Sequence, residues 1–239
     1  MQLKTEAIVL NRLRYGEADL IVKLFTEKEG LHSYIIKGIL KSKKGKVKAS
    51  YFQLFNVLEI DAVHKKNNSL HYLKEVKVNE SHYAINSNII KGSLVNFLAE
   101  IINQIRVDSE PDMSLYNYIK QAIKWLDLND KTALFHHLFL LKLTNYLGCS
   151  PDTTNQELPE FNLEEGNFAL VSKSAYIIKG ETLASFKQLL GINFDDLLTI
   201  SISKTTRKNL LEIILLYYNF HVTGFKKPKS LSVLEELFK

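Results

Sequence analysis

The sequence is poor in cysteine: Cys149 is the single one among 239 residues. One cysteine excludes a disulfide within the chain and any zinc site built from several cysteine ligands. We therefore predict no bound metal ion and no cofactor. The default role of Cys149 itself is that of a small buried apolar residue.

Long apolar runs are also missing. No stretch approaches the length that crosses a membrane, and the N-terminus lacks the charged start, apolar core and small-residue cleavage site of a secretory signal. With 46% hydrophobic residues the chain still has enough apolar material for a buried core. We expect a globular, cytoplasmic protein that does not associate with membranes.

Catalytic motifs are absent as well. The sequence contains no GxSxG elbow, no HExxH pair and no dinucleotide-binding fingerprint. A stretch from Gly38 to Val47 is superficially similar to a phosphate-binding loop, but six residues lie between its two glycines instead of four, and Val47 replaces the Ser or Thr that would hold magnesium. Adjacent His136 and His137 on a helix project about 100° apart and cannot chelate one metal together. We predict a protein that is not an enzyme.

What the sequence does contain is an uneven distribution of charge. Residues 1–50 carry 11 Lys and Arg against 5 Asp and Glu, whereas the rest carries 20 against 21. Six of the lysines fall in KGILKSKKGKVK, residues 37–48, which has no acidic residue. Such a loop is typical of a polyanion-binding surface, since each lysine near a phosphate releases condensed counterions. DNA is the polyanion we favour, and a solvated loop without a ligand is the alternative.

The first third of the chain has the composition of β-strands. Runs rich in Ile, Val, Leu, Phe and Tyr are separated by turn residues at YGE and EKEG. They predict strands at residues 5–13, 18–26, 31–38, 54–63 and 69–78. Because closure removes the exposed edges of so small a sheet, we predict a five-stranded barrel of the OB type.

From about residue 87 the apolar spacing becomes helical. The pattern predicts helices at 88–105, 113–128 with Asp112 as its cap, a buried central helix at 132–148, and further helices at 181–190, 204–225 and 231–238. An insertion at about 150–200 is predicted to hold a β-hairpin formed by residues 167–172 and 175–180. The predicted class is α+β: an OB-fold domain at 1–80 and a helical domain at 81–239.

Several segments of the chain resemble motifs of one protein family, and they occur in the same order as in that family. Residues 6–38 contain Tyr15-Gly16-Glu17, Phe25-Thr26, Gly30 and Lys37-Gly38. NYLGCSPD at 145–152 and YYNFHVTGFKKPKSLSVLEEL at 217–237 follow. Together they resemble the bacterial RecO recombination mediators over the whole chain. Family members with a zinc knuckle carry four cysteines between their helical halves, so we identify this chain as similar to members that lack zinc.

The resemblance implies a non-enzymatic, nucleoid-associated protein of RecF-type gap repair. Such a protein binds single- and double-stranded DNA and anneals complementary strands. It acts with RecR and contacts the acidic C-terminal tail of single-stranded DNA-binding protein, so that RecA can load. Two alternatives stay open: a helical scaffold that touches nucleic acid incidentally, and a metal-dependent nuclease with an unrecognised site.

Candidate site residues follow from charge and aromatic character. The predicted DNA-binding cations are Arg12, Arg14, Lys37, Lys41, Lys43, Lys44, Lys46 and Lys48. Tyr15 and Tyr34 could stack on bases, although core packing is favoured for both. The predicted site for the partner tail combines Tyr217, His221, Lys226 and Lys227, with Phe220, Phe225 and Lys229 nearby and Arg207 and Lys208 as alternative cations. Core packing is favoured for most of these aromatic residues.

Overall fold

A computed structural model describes residues 2–41, 47–64, 70–105 and 110–238. The chain divides into two compact units, Met1–Leu128 and Asn129–Lys239. The first unit holds a barrel and three helices, and the predicted domain boundary near residue 80 falls inside it, at the end of the barrel. No helix in the described ranges is long and apolar enough to cross a membrane.

The barrel consists of β1 (Gln2–Tyr15), β2 (Asp19–Thr26), β3 (Gly30–Ile36), β4 (Val57–Val63) and β5 (Leu70–Glu80). The strand order is β1-β2-β3-β5-β4, closed by antiparallel pairing of β4 with β1. All neighbours are antiparallel except β3 and β5, which run parallel. This is the OB-type barrel that the sequence predicts.

Alternation of side chains builds the barrel interior. Leu20, Val22 and Leu24 on β2 are buried, and Ile21 and Lys23 between them are half-buried. The buried side chains pack with Val9, Tyr34 and Phe52, each of which has no exposed surface or nearly none. Burying a side chain of this size stabilises the fold by about 1.5–3 kcal/mol. The predicted core assignment of Tyr34 is confirmed.

Strand β1 changes its neighbours part-way along its length. Strand β4 pairs with Gln2–Ile8 alone, and the β1–β2 register shifts between Val9 and Asn11. Beyond this bulge, residues 11–15 pair with β2 and with no other strand of the described ranges. All five of these residues are exposed. The far half of β1 is therefore an open edge on an otherwise closed barrel.

In the described part of the first unit, three helices follow the barrel: α1 (Tyr83–Ser87), α2 (Ile89–Gln104) and α3 (Met113–Leu128). Asn88 caps α2 by accepting hydrogen bonds from the backbone N–H groups of Ile90 and Lys91. Asp112 accepts from Leu115 N at 2.8 Å, which confirms its predicted role as the cap of α3.

Glu6 on β1 joins helix α3 to the barrel. Its carboxylate accepts from the Tyr116 hydroxyl at 3.0 Å, from Lys120 Nζ at 2.7 Å and from the Asn79 amide. Burial alone would raise the pKa of Glu6, but the hydrogen bonds from Lys120 and Tyr116 lower it overall. The ionised carboxylate is thus the form that the fold stabilises.

The second unit contains α4 (Phe135–Tyr146), α5 (Gly180–Leu190), α6 (Lys204–His221) and α7 (Leu231–Leu237). Helix α4 is buried on nearly every side, from Phe135 to Leu141 without interruption, and packs against α5 and α6. It is the central buried helix that its all-round apolar sequence predicts.

The predicted hairpin within the insertion is wrong. Strands β7 (Asn167–Ala169) and β8 (Ile177–Ile178) both pair with a third strand, β6 (Glu160–Asn162), in the order β7-β6-β8. Phe161 of β6 is fully buried against Phe168. Because β6 is three residues long with a single aromatic among polar residues, it has no alternation that sequence reading could detect.

Candidate nucleic-acid interface and partner cavity

Two arginines lie on the open edge of β1. Arg12 and Arg14 are two residues apart, so their side chains project from one face of the strand, and both are exposed. Leu13 and Tyr15 project from the other face and are 62% and 55% exposed. The edge thus presents paired cations on one side and apolar surface on the other.

The start of the lysine loop lies against this edge. Leu40 N donates to the Ala18 carbonyl at 2.9 Å, which ties the loop to the β1–β2 turn. Glu17 in that turn forms an ion pair with Lys41 at 2.7 Å, and its carbonyl accepts from Arg14 Nη2 at 3.4 Å. Arg14 and Lys41 are therefore gathered at the same end of the barrel.

The remaining loop cations are placed less closely. Lys37 is exposed and its Nζ lies 6.0 Å from the centre of the Tyr72 ring on β5. Lys48 is exposed at the start of a short 3₁₀ helix, Ala49–Phe52. Lys43, Lys44 and Lys46 lie outside the described residues.

Tyr15 departs from its predicted core position. The prediction of core packing is wrong for this tyrosine, which is 55% exposed. The cause is the bulge in β1, because β4 covers the first half of the strand and leaves Tyr15 on the open edge. Tyr15 is consequently available for stacking on a base.

The opposite end of β1 has the reverse charge. A cleft of about 410 Å³ there is lined by five carboxylates and three lysines. The carboxylates belong to Glu6, Glu27, Glu59, Asp61 and Glu75. Since like charges repel, phosphates are disfavoured here and favoured at the Arg12–Arg14 edge.

The second unit has an open cavity of about 470 Å³ between α4, α6 and α7. Its lining combines three cations with apolar side chains and two histidines of α4. These residues are Lys204, Arg207, Lys208, Leu211, Leu234, Phe238, His136 and His137, with Glu235 and Glu236 at α7. The cavity is thus both apolar and cationic.

The two histidines of this cavity are neutral groups. Burial, reinforced by the Arg207 charge, lowers the pKa of His137 to about 4, and burial lowers the pKa of His136 well below its usual value. His137 Nε2 lies 2.8 Å from the Arg207 carbonyl oxygen, which accepts a hydrogen bond from the imidazole N–H. Both histidines are buried in the core.

The structure separates the residues predicted to bind the partner tail. Arg207 and Lys208 line the cavity. Tyr217, however, is buried and donates its hydroxyl to the Cys149 carbonyl at 2.8 Å, and His221 Nε2 lies 2.8 Å from the Leu163 carbonyl. Both of these side chains hold the insertion onto α6.

The other residues named for this site lie outside the cavity lining as well. Lys226, Lys227 and Lys229 are exposed beyond α6, and Phe225 is buried. Phe220 packs edge-on against Tyr176 of the insertion, with ring centres 5.0 Å apart. Cys149 is half-buried, and burial raises the pKa of its thiol.

Sequence reading missed a cluster of three histidines on the barrel. One ring nitrogen from each of His32, His64 and His71 lies within 4.8 Å of the others. Burial, with the neighbouring His71 and His32, lowers the pKa of His64 to about 4, and burial lowers that of His71. No local spacing signals this cluster, because it depends on the parallel register that sets Tyr34 beside His71.

A closed five-stranded OB-type barrel with exposed cations, followed by a helical unit, defines a class of proteins whose barrels bind oligonucleotides or oligosaccharides. Residues 1–82 match the family described as "Recombination protein O N terminal", and residues 86–231 match "Recombination protein O C terminal". The chain belongs to this family, RecO, a family of DNA repair proteins, as its motifs indicate.

Curated relatives agree over their whole length. Proteins named "DNA repair protein RecO" from Christiangramia forsetii, Flavobacterium psychrophilum and Bacteroides fragilis are 45%, 41% and 32% identical to this chain. In each case the match covers 100% of both proteins.

Proposed function

We propose that this chain is a non-enzymatic mediator of RecF-type gap repair. It binds single- and double-stranded DNA, anneals complementary strands, and acts with RecR and single-stranded DNA-binding protein to load RecA. The observation that carries the DNA-binding step is the open cationic edge of β1 on a barrel of the RecO family.

Annealing by such a surface needs no nucleophile. Two complementary strands repel each other through their phosphates, and cations that neutralise both strands on one surface lower that repulsion and raise their local concentration. Arg12, Arg14, Lys37 and Lys41 supply fixed positive charge, and exposed Tyr15 supplies a face for stacking. Loop residues Lys43, Lys44, Lys46 and Lys48 extend the same charge along the sequence.

The DNA-binding step is tested with the double variant Arg12→Ala/Arg14→Ala. Binding of a fluorescent oligonucleotide is measured by anisotropy over a range of salt concentrations. Loss of two phosphate contacts should flatten the log-affinity against log-salt slope by about 1.4 on single strands. The matched control is Lys4→Ala/Lys28→Ala, which removes two exposed cations at the acidic end of the barrel.

Equal slopes for both double variants and the unchanged protein would contradict the assignment of DNA to the β1 edge. The same samples, with and without magnesium, separate the mediator from a nuclease. We expect metal-independent binding, faster strand annealing and intact DNA, and magnesium-dependent cleavage would overturn the non-enzymatic proposal.

For the partner tail we propose the cavity between α4, α6 and α7. A tail that is acidic and ends in an apolar residue with a free carboxylate needs an apolar pocket beside one or two cations. Leu211, Leu234 and Phe238 supply apolar walls, and Lys204, Arg207 and Lys208 supply cations. The proposed tail site therefore includes the predicted cations Arg207 and Lys208 and does not include Tyr217 or His221.

Two pairs of lysines test this location. Lys204→Ala/Lys208→Ala should weaken binding of an acidic tail peptide at least fivefold, whereas Lys226→Ala/Lys227→Ala should change it little. Glu235→Gln removes a like charge from the cavity and should strengthen binding. The opposite ranking of the two lysine pairs would place the tail beyond α6, as the first sequence-based choice has it.

A further inference from the structure

We propose that His32, His64 and His71 form a binding site for one divalent transition-metal ion, with zinc as the ion of best fit. A single cysteine excludes a zinc site built from several cysteines, but it does not exclude a site built from histidines of separate strands. The three histidines lie in the barrel, so a metal ion bound there is separate from the zinc knuckle that the insertion is predicted to lack.

The three side chains come from three different elements. His32 lies on β3, His64 directly follows β4, and His71 lies on β5. Their ring centres are 4.2 to 5.2 Å apart, with His64 and His71 stacked at 16°. None of them is fully exposed, since His71 is buried and the other two are half-buried.

The spacing suits a tetrahedral ion after small side-chain rotations. Zinc binds imidazole nitrogen at about 2.0–2.1 Å, so the nitrogens of two ligands on one ion are about 3.4 Å apart. The ring nitrogens here lie within 4.8 Å of one another before any ion is bound. A bound ion would draw them together through rotations about the side-chain torsions.

Neighbouring groups orient the rings. His32 Nε2 lies 2.8 Å from the Glu29 carbonyl, which can accept only from an N–H, so Nδ1 of His32 carries the lone pair that a metal needs. The buried Tyr34 hydroxyl lies 2.9 Å from His64 Nε2. This contact fixes the orientation of the His64 ring beside those of His32 and His71.

Ligand chemistry selects the class of ion. Three imidazoles without a carboxylate favour zinc, copper or nickel and disfavour magnesium and calcium, which prefer oxygen ligands. Three protein ligands leave a fourth position for water or another donor, as in open zinc sites.

The position of the cluster suggests what a bound ion would do. Within the described residues, strands β3 and β5 pair at Ser33–Ile35 and Leu70–Tyr72, a shorter seam than the other strand pairs of the barrel show. An ion held by His32 and His71 joins the two strands across this seam, and His64 ties in the end of β4. Binding to the folded state alone should raise the thermal midpoint.

Zinc titration of the full chain tests the site. Protein without a histidine tag is stripped with a strong chelator and titrated with Zn²⁺ against a chromophoric competitor. We expect one equivalent per chain and a midpoint raised by several degrees. His32→Gln/His64→Gln should lose at least tenfold in affinity and the whole midpoint shift, whereas His221→Gln, outside the cluster, should bind as the unchanged protein does.

NMR of the imidazole nitrogens needs no variant. Zinc should shift the signals of three of the seven histidines. Failure of the stripped protein to bind one equivalent, equal affinity of the double variant, or a shift confined to other histidines would each overturn the proposal. These outcomes leave the DNA assignment untouched, because Arg12 and Arg14 are not part of the cluster.

Discussion

The two units of this protein place their ionisable groups differently. In the barrel unit, Arg12, Arg14, Lys37 and Lys41 lie on the surface in contact with water. In the second unit, His136 and His137 are buried and neutral beneath an open cavity. The proposed DNA site on the barrel would therefore act through exposed charge, and the proposed tail site through close contact in a cavity.

This difference has a physical consequence for how each unit responds to its surroundings. Exposed cations act through a field that salt screens within about 8 Å at physiological ionic strength. Buried neutral histidines are shielded from salt but must take up a proton when the unit unfolds in acid. Salt should therefore act mainly on the barrel's binding, whereas acid should destabilise each element that holds a buried neutral histidine, helix α4 among them.

The largest expected effect is loss of stability in acid. The folded pKa of His137 is about 4 against 6.5 in the unfolded chain, so the unfolded state binds the extra proton between these values. Stability is full above pH 6.5 and falls as pH drops towards 4, by on the order of 3 kcal/mol for this residue. Amide hydrogen exchange of residues 135–146, compared at pH 7 and pH 5, measures this loss of stability.

The control for that experiment is His137→Gln, which keeps a donor for the Arg207 carbonyl but does not titrate. Its exchange should depend less steeply on pH than that of the unchanged protein. An identical pH dependence would show that His137 is not the group responsible.

The next largest effect is the difference between DNA binding and tail-peptide binding in their loss of affinity at high salt. With about four phosphate contacts on a single strand, raising salt from about 50 to 200 mM should weaken DNA binding roughly 50-fold. An acidic peptide in the cavity should lose less than about fivefold, because apolar contact is not screened. Parallel anisotropy titrations measure both, and equal losses would remove the distinction between the units.

Glu6→Gln should lower the free energy of unfolding of the barrel unit by about 1–2 kcal/mol, because Lys120 and Tyr116 then lose a charged acceptor. The folded pKa of Glu6 is lowered, so its contribution is present above the unfolded value of 4.5 and is lost as pH falls through the folded pKa. Urea midpoints at pH 7 and pH 4 measure it. A difference that grows in acid would contradict this account.

The smallest effect expected is that of Tyr15→Ala on DNA binding. Loss of one stacking partner should cost about 1 kcal/mol, roughly fivefold in affinity, without changing the salt slope. Leu13→Ala, on the same face of β1, is the matched control and should change affinity less. If both variants lose the same amount, the face contributes general apolar contact, and stacking is not its role.

The sequence predicts the barrel and most helices because their signals are local. Alternation along β2, the apolar circumference of α4 and the cap at Asp112 each occupy a few consecutive residues. A helix or strand that buries one face must repeat at 3.6 or 2 residues, and the sequence shows that repeat.

Features that depend on distant pairing could not be predicted. The third strand of the insertion is too short for a repeat, and the exposure of Tyr15 depends on where β4 stops covering β1. The cluster of His32, His64 and His71 requires knowledge that β3 and β5 are parallel neighbours in one particular register. Charge alone predicts that Arg12 and Arg14 are exposed, and the burial of Tyr217 agrees with the core packing favoured for most aromatics of its helix.

The open edge of β1 also bears on self-association. An edge strand with unpaired backbone N–H and C=O groups is a template on which a second copy can add a strand and begin to aggregate. On residues 11–15 the two arginines oppose this, since edge-to-edge approach of two copies brings four guanidinium groups together. Loss of both arginines would therefore reduce DNA affinity and resistance to aggregation together, so the Arg12→Ala/Arg14→Ala variant is checked for aggregation before its DNA affinity is measured.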